Sequence, residues 1–290
     1  MTVTALAPAK INLTLDVVGR REDGYHLLES VMQTVDLYDE ITVAPAAADR
    51  ITLHCDGGIP ADGSNTAYKA AVQFREAVGC PQQGFVITVK KQIPSQAGLA
   101  GGSADAAGVL HALNVLTNAE LTTAQLCEIG SRIGADVPFC VHGGTVLCTG
   151  VGEILAPVTP LPDCGIVLVK PDGGVSTPEA YHLLDTAPHL QHPDSGGLSA
   201  ALTRGDLNGI AACVGNIFEA PLHLPHTADI GTRLLSGGAL TAALSGSGSA
   251  VFGLFADLSA ATACADTLRG TYPHTWVCRP CNGVILEKFA

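Results

Sequence analysis

The chain has 290 residues, 47% of them hydrophobic and 14% charged, with a formal net charge of −12. That composition excludes a disordered chain, and no apolar run approaches the roughly 18 residues a membrane-spanning helix needs. The acidic balance argues against nucleic acid or an anionic membrane as partner, since both demand clustered Lys and Arg. An anionic ligand must therefore be captured by local groups.

The opening segment, MTVTALAPAKINL, lacks a basic region followed by an apolar one, so a cytoplasmic location is expected. Residues 3–18 alternate: Ile11, Leu13, Leu15 and Val17 fall on one face, Lys10, Asn12, Thr14 and Asp16 on the other. This predicts a strand with an unusually polar second face. GRREDGYH reads as a charged turn and SVMQTVDLYDEITV as further strand. Ser64 or Asn65 can cap a helix running through Val78, with Gly79 at its end. FVITVKKQI is a strand that leads into a glycine-rich loop, after which helical spacing returns at Ala106, Leu110, Leu113 and Leu116. A second helix is expected from Thr123 to Ile133.

APVTPLPDCG reads as a domain boundary, dividing the chain into residues 1–156 and 157–290. Beyond it lie a strand (GIVLVK), a proline-containing loop, and helices near 198–203, 206–217 and 227–236. GALTAAL and SAVFGLF are strands around a polar glycine turn; a helix from Ser259 to Arg269 and a final strand pair close the chain. Strands and helices mixed without a strict βαβ rhythm predict an α+β chain of two domains. The ten cysteines sit mostly in apolar runs, where they act as small hydrophobes in a reducing compartment. Cys278 and Cys281 form one C-x-x-C, but no second ligand pair follows, so it reads as structural.

The loop IPSQAGLAGGSADAAGVL joins a strand to a helix N-terminus, a geometry that aims unpaired N–H groups at one point and suits phosphate. It is no Walker loop, since no lysine stands between Lys91 and Lys170. Nor do its glycines match G-x-G-x-x-G. The bland alternative is a plain turn with Ser103 as N-cap; Ser103 also has a hydroxyl to offer a magnesium ion.

Taken together, PAKINL (Pro8–Leu13), PSQAGLAGGSADAA (Pro94–Ala107) and LSGSGSAVF (Leu244–Phe252) resemble the GHMP kinase superfamily, ATP-dependent kinases of small alcohols. The segments Lys10–Ile41, GADVPFCVHGGT and NIFE narrow the resemblance to the branch acting on a cytidine diphosphate-linked methylerythritol. Two residues depart from the usual loop, G-L-G-G-G-S-S: Ala100 and Ala104 replace a glycine and a serine. Ala100 is harmless unless its position needs φ > 0, and Ala104 removes a hydroxyl.

The resemblance implies a two-domain α+β fold with the active site in the cleft between halves. ATP and Mg2+ are then the cofactors, and the chain a monomer or homodimer. Lys10 and Asp136 become the catalytic pair. The ATP-binding residues become Asn65 and the loop Pro94, Ser95, Gln96, Ala97, Gly98, Leu99, Ala100, Gly101, Gly102, Ser103 and Ala104, with Ser103 on the metal. Asn12, Tyr25, His26, Thr177 and Tyr181 become the substrate site, Tyr25 and Tyr181 sandwiching the pyrimidine while His26 bonds its edge. On residues alone, Lys10 also reads as a solvated strand lysine, Asp136 and Asn65 as helix caps, and Glu219 as structural. A homoserine- or mevalonate-type kinase, or a non-catalytic nucleotide-binding relative, is the alternative function.

Overall fold

The computed structural model describes residues 1–289 apart from Pro81 and His223. Period-two patterning at the N-terminus makes strands, but the run bends at Leu13. In place of one strand over residues 3–18 there are two, β1 (Thr2–Asn12) and β2 (Thr14–Arg20). β3 (His26–Pro45) is long enough to pair antiparallel with both. β4 (Ile51–Cys55), α1 (Thr66–Ala77) and β5 (Phe85–Lys90) form a βαβ unit whose strands are parallel. Then come α2 (Gly101–Leu116), α3 (Thr123–Ser131), α4 (Val137–His142), β6 (Thr145–Gly150) and β7 (Ile154–Pro157).

α2 lies across β1 and β3. Gly108 permits that approach: a Cβ there would come within 2.9 Å of the Ile41 side chain and 3.2 Å of Ala7. Val109, Leu110 and Leu113 of α2 are fully buried, each contributing roughly 1.5–3 kcal/mol.

The second half begins with β8 (Gly165–Val169) and α5 (Thr177–Thr186). α5 was not expected, because its prolines read as loop. Pro178 instead occupies the first turn, where a missing N–H costs nothing, and Ser176 caps the helix. α6 (Ser195–Arg204) and α7 (Leu207–Cys213) follow; α7 stops short of the predicted Ile217 because β9 (Gly215–Asn216) pairs with β2. α8 (Glu219–Leu222), α9 (Pro225–Ser236), β10 (Thr241–Leu244), β11 (Val251–Phe255), α10 (Leu258–Leu268), β12 (Thr275–Cys278) and β13 (Ile285–Phe289) complete the chain. The last two strands are not a pair: β12 joins β8, and β13 returns to β1.

Two sheets result, nine-stranded and four-stranded (β10-β11-β8-β12) among the described residues. The smaller sheet draws all its strands from beyond residue 157, but β9 and β13 of that segment belong to the larger one. β8 shows how the halves join. It is buried on both faces: Ile166 and Leu168 enter the core around α1 and α2, while Val167 and Val169 enter a second core with α5, α9 and α10. Among the described residues no helix is long and apolar enough to cross a membrane.

Candidate active site

A cavity of about 1520 Å³ opens where the two sheets meet. Lys10, Asn12, Tyr25, His26, Thr177 and Tyr181 line it, as do Asp136 and every loop residue from Pro94 to Ser103. Asn65 and Ala104, also expected at the site, are not on its wall.

The alternation of β1 sets Lys10 and Asn12 on one face. That face is not solvated: Lys10 is 3% exposed and Asn12 1%. Lys10 Nζ donates to Asn12 Oδ1 (2.6 Å), which also accepts from the backbone N–H of Gly246 (2.9 Å). Asn12 Nδ2 donates to Ser30 Oγ (2.8 Å), and Ser30 Oγ to Thr14 O (2.6 Å). A buried ammonium so held is fixed in position rather than mobile on a surface. Asp136 occupies the N-cap position of α4, yet its side chain makes no capping bond. Its carboxylate is left for the cavity. Lys10 and Asp136 act on the same buried thiol: burial pushes Cys148 up to about 12, with Asp136 adding to the rise and Lys10 opposing it.

The glycine loop is built on strained backbone. Gln96, Gly98 and Ala100 have φ of 53°, 73° and 57°. Ala100 thus occupies the left-handed region and serves as N-cap of α2 with no side-chain bond. The substitution for glycine is therefore not free, since an L-residue there costs about 1 kcal/mol. Helix α2 begins at Gly101, so Ser103 sits in its first turn and is not the N-cap. Ala104 is fully buried, so a hydroxyl at that position would not reach the cavity wall. Asn65 spends both ends of its amide inside the protein: Oδ1 accepts from Ala67 N (2.9 Å) and Nδ2 donates to Pro60 O (2.7 Å). Its neighbour Thr66 reaches the wall instead, donating to Gly102 O (2.6 Å).

Lys91 was missed by sequence reasoning, which looked for a lysine inside the loop. It stands just before, with its side chain beneath Gly101 and on the cavity wall. Its Nζ donates to Asp39 and to Asp105 Oδ2 (2.6 Å), while Asp39 Oδ1 accepts from the backbone of Gln92 (2.6 Å) and Ile93 (2.9 Å). One lysine shared between two buried carboxylates leaves Asp105 Oδ1 without a partner. Burial accordingly pushes the Asp105 carboxyl up to about 7, against the opposing pull of Lys91.

Part of the lining is aromatic. Tyr181 stacks on His26 (centroids 4.6 Å apart, planes at 28°) and meets Phe218 edge-on (5.0 Å, 86°). Tyr25 is 64% exposed at the mouth. Thr177 Oγ1 lies 3.2 Å from Ser247 Oγ of the second glycine loop. The NIFE segment, whose Glu219 reads as structural, holds that loop: Asn216 Nδ2 donates to Leu244 O and Gly246 O (both 2.8 Å), and Glu219 Oε1 accepts from Leu244 N (2.7 Å).

A magnesium ion bound mainly through polyphosphate needs few protein oxygens. Among the described residues no cluster of three or more His, Cys, Asp or Glu forms a cation cage. Ser103 Oγ, on the cavity lining, fits that looser demand.

Comparison with known proteins gives the same outline. Residues 65–144 match the GHMP kinases N terminal domain and residues 198–274 the GHMP kinases C terminal domain. A 4-diphosphocytidyl-2-C-methyl-D-erythritol kinase of Pelotomaculum thermopropionicum is 45% identical over 286 residues, 97% of this chain and 99% of the relative. A solved structure of a 4-(cytidine 5'-diphospho)-2C-methyl-D-erythritol kinase superposes with a TM-score of 0.82 at 36% identity, covering 97% of this chain and 100% of that one. A homoserine kinase from Cytophaga hutchinsonii shares the fold (TM-score 0.79) at 21% identity, over 99% of this chain and 97% of that one.

Proposed function

The chain belongs to the 4-diphosphocytidyl-2-C-methyl-D-erythritol kinases of the GHMP kinase family, and we propose from that premise how its residues transfer the γ-phosphate of ATP to the 2-hydroxyl of that alcohol. The observation that carries the reading is that Lys10, Asp136 and the glycine loop all line a single cavity.

The loop backbone and the first turn of α2 receive the phosphates; missing side chains at Gly98, Gly101 and Gly102 let them approach. Lys10, pinned by Asn12, neutralises charge on the transferring group. Asp136 orients the substrate hydroxyl and takes its proton as the bond to the γ-phosphorus forms and the bond from that phosphorus to the bridging oxygen breaks, ADP leaving. Phosphoryl transfer through a loose transition state needs chiefly positioning and charge neutralisation, so a strong base is not required. Ser103 would help hold a magnesium ion, which would supply further neutralisation of phosphate charge. Tyr25, His26 and Tyr181 receive the cytidine end, where an aromatic face binds any base and a hydrogen bond to the edge chooses among them. A homoserine- or mevalonate-type specificity would leave this aromatic wall without a role. Turnover compared across the cytidine-linked alcohol, homoserine and mevalonate tests the assignment, and preference for either of the last two would sink it.

A further inference from the structure

His26 meets a partner that the functional reading does not use. Its Nε2 lies 2.7 Å from Asp185 Oδ1, and Arg20 Nη1 lies 3.5 Å from the other carboxylate oxygen, Oδ2. Asp185 stands on α5 one turn beyond Tyr181, so the same helix face that stacks on the imidazole also ties its Nε2. The ring plane and one ring nitrogen are therefore both held from α5, while the ring itself is on the cavity wall.

We propose that Asp185 is a positioning residue that decides base specificity: it obliges His26 to carry its proton on Nε2, leaving Nδ1 as a bare acceptor that reads the exocyclic amine of cytosine. This rests on the reading that the cytidine end binds at the aromatic wall. The hydrogen bond from His26 holds the Asp185 carboxyl below the usual carboxylate range, with Arg20 adding to the effect, so it is acceptor-only at neutral pH. A carboxylate has no proton to give, so Nε2 must supply it, and a ring with that single N–H has only a lone pair at Nδ1. Cytosine offers an N–H donor at carbon 4, whereas uracil offers a carbonyl there. Two facing acceptors leave a desolvated polar pair unbonded, the kind of mismatch that discriminates far more strongly than shape does.

The experiment compares steady-state kinetics of wild type, Asp185→Ala, Asp185→Asn and Asp185→Glu on the cytidine-linked alcohol and its uridine-linked analogue. The histidine tautomer of substrate-free protein is read in parallel by 15N NMR. In Asp185→Ala the KM for the cytidine substrate should rise at least tenfold, with kcat and the KM for ATP within threefold of wild type. The cytidine-over-uridine ratio of kcat/KM should fall at least tenfold. An asparagine can donate to Nε2 and so hand the proton to Nδ1; Asp185→Asn should lose the ratio as fully, while Asp185→Glu restores most of it. The wild-type spectrum should show the proton on Nε2. Equal losses on both substrates, an unchanged ratio in Asp185→Asn, or a proton on Nδ1 in wild type would each overturn the proposal. Wild type inert towards the cytidine-linked alcohol would instead sink the functional reading, with the tautomer still decided by NMR.

Discussion

Two glycine loops meet at the cavity and are held by different means. The first, Pro94–Ser103, stands on charge: Lys91, Asp39 and Asp105 are packed beneath it, and Asp39 grips the backbone of Gln92 and Ile93. The second, between β10 and β11, stands mainly on neutral amides, Asn216 from one side and Asn12 from the other, with the Glu219 carboxylate only at Leu244 N, where the loop begins. They touch directly. Ser245 Oγ donates to Gly98 O (2.9 Å), Ala250 N donates to Ala97 O (3.1 Å), and a Cβ on Gly98 would overlap the Ser245 carbonyl. The difference is one of risk. A buried charge cluster is worth little when intact and costs much when broken, whereas an amide clamp loses only its own hydrogen bonds.

That contrast is most open to attack at Lys91. Lys91→Met leaves Asp39, which is fully buried, and Asp105 without their cation, and should lower the unfolding free energy by about 3–5 kcal/mol in denaturant titration. A loss under about 1 kcal/mol would mean that the cluster is not what supports the loop. Asn216→Ala strips donors from Leu244 O and Gly246 O, and the same titration should show a smaller loss, about 1–3 kcal/mol. If it equals or exceeds that of Lys91→Met, the two loops are not held differently.

pH sharpens the charged side. A carboxyl whose folded pKa lies above its unfolded value stabilises the fold fully below the unfolded value, and loses that contribution as pH rises through the folded one. For Asp105 the two values are about 7 folded and about 3.9 unfolded. Between pH 6 and pH 8 wild type should therefore lose about 1.4 kcal/mol relative to Asp105→Asn, seen as a pH-dependent gap between their denaturation midpoints. A gap constant over that range would place the proton elsewhere in the cluster. The smallest effect concerns backbone alone: Ala100→Gly relieves a left-handed alanine at the start of α2 and should stabilise by about 1 kcal/mol.

Much of this was legible in the residues. Asn65 caps α1, α2 follows its predicted spacing, and the alternation around Lys10 and Asn12 sets them on one face. What the local pattern cannot convey is which face of a strand the rest of the chain will cover. Lys10 looks like a solvated strand lysine until the second glycine loop, far away in sequence, closes over it. Lys91 was missed for a related reason: its carboxylate partners come from β3 and α2, and no sequence spacing joins them. α5 was hidden because Pro178 was weighed as a helix breaker when it is a helix starter. The left-handed Ala100 had no local signal, since alanine is there in spite of the conformation.

The proposed function makes Lys10, Asp136 and the glycine loop, all lining one cavity, a phosphoryl-transfer site for the cytidine-linked alcohol. Mass-spectrometric detection of product, with ATP, magnesium and that alcohol, tests it on wild type, Lys10→Ala and Asp136→Asn alike. Wild type should yield the substrate plus one phosphate, while each variant folds, binds ATP and turns over more than tenfold slower, a barrier higher by at least about 1.4 kcal/mol. No phosphorylated product from wild type, or a variant that keeps more than about a tenth of its kcat, would contradict the account.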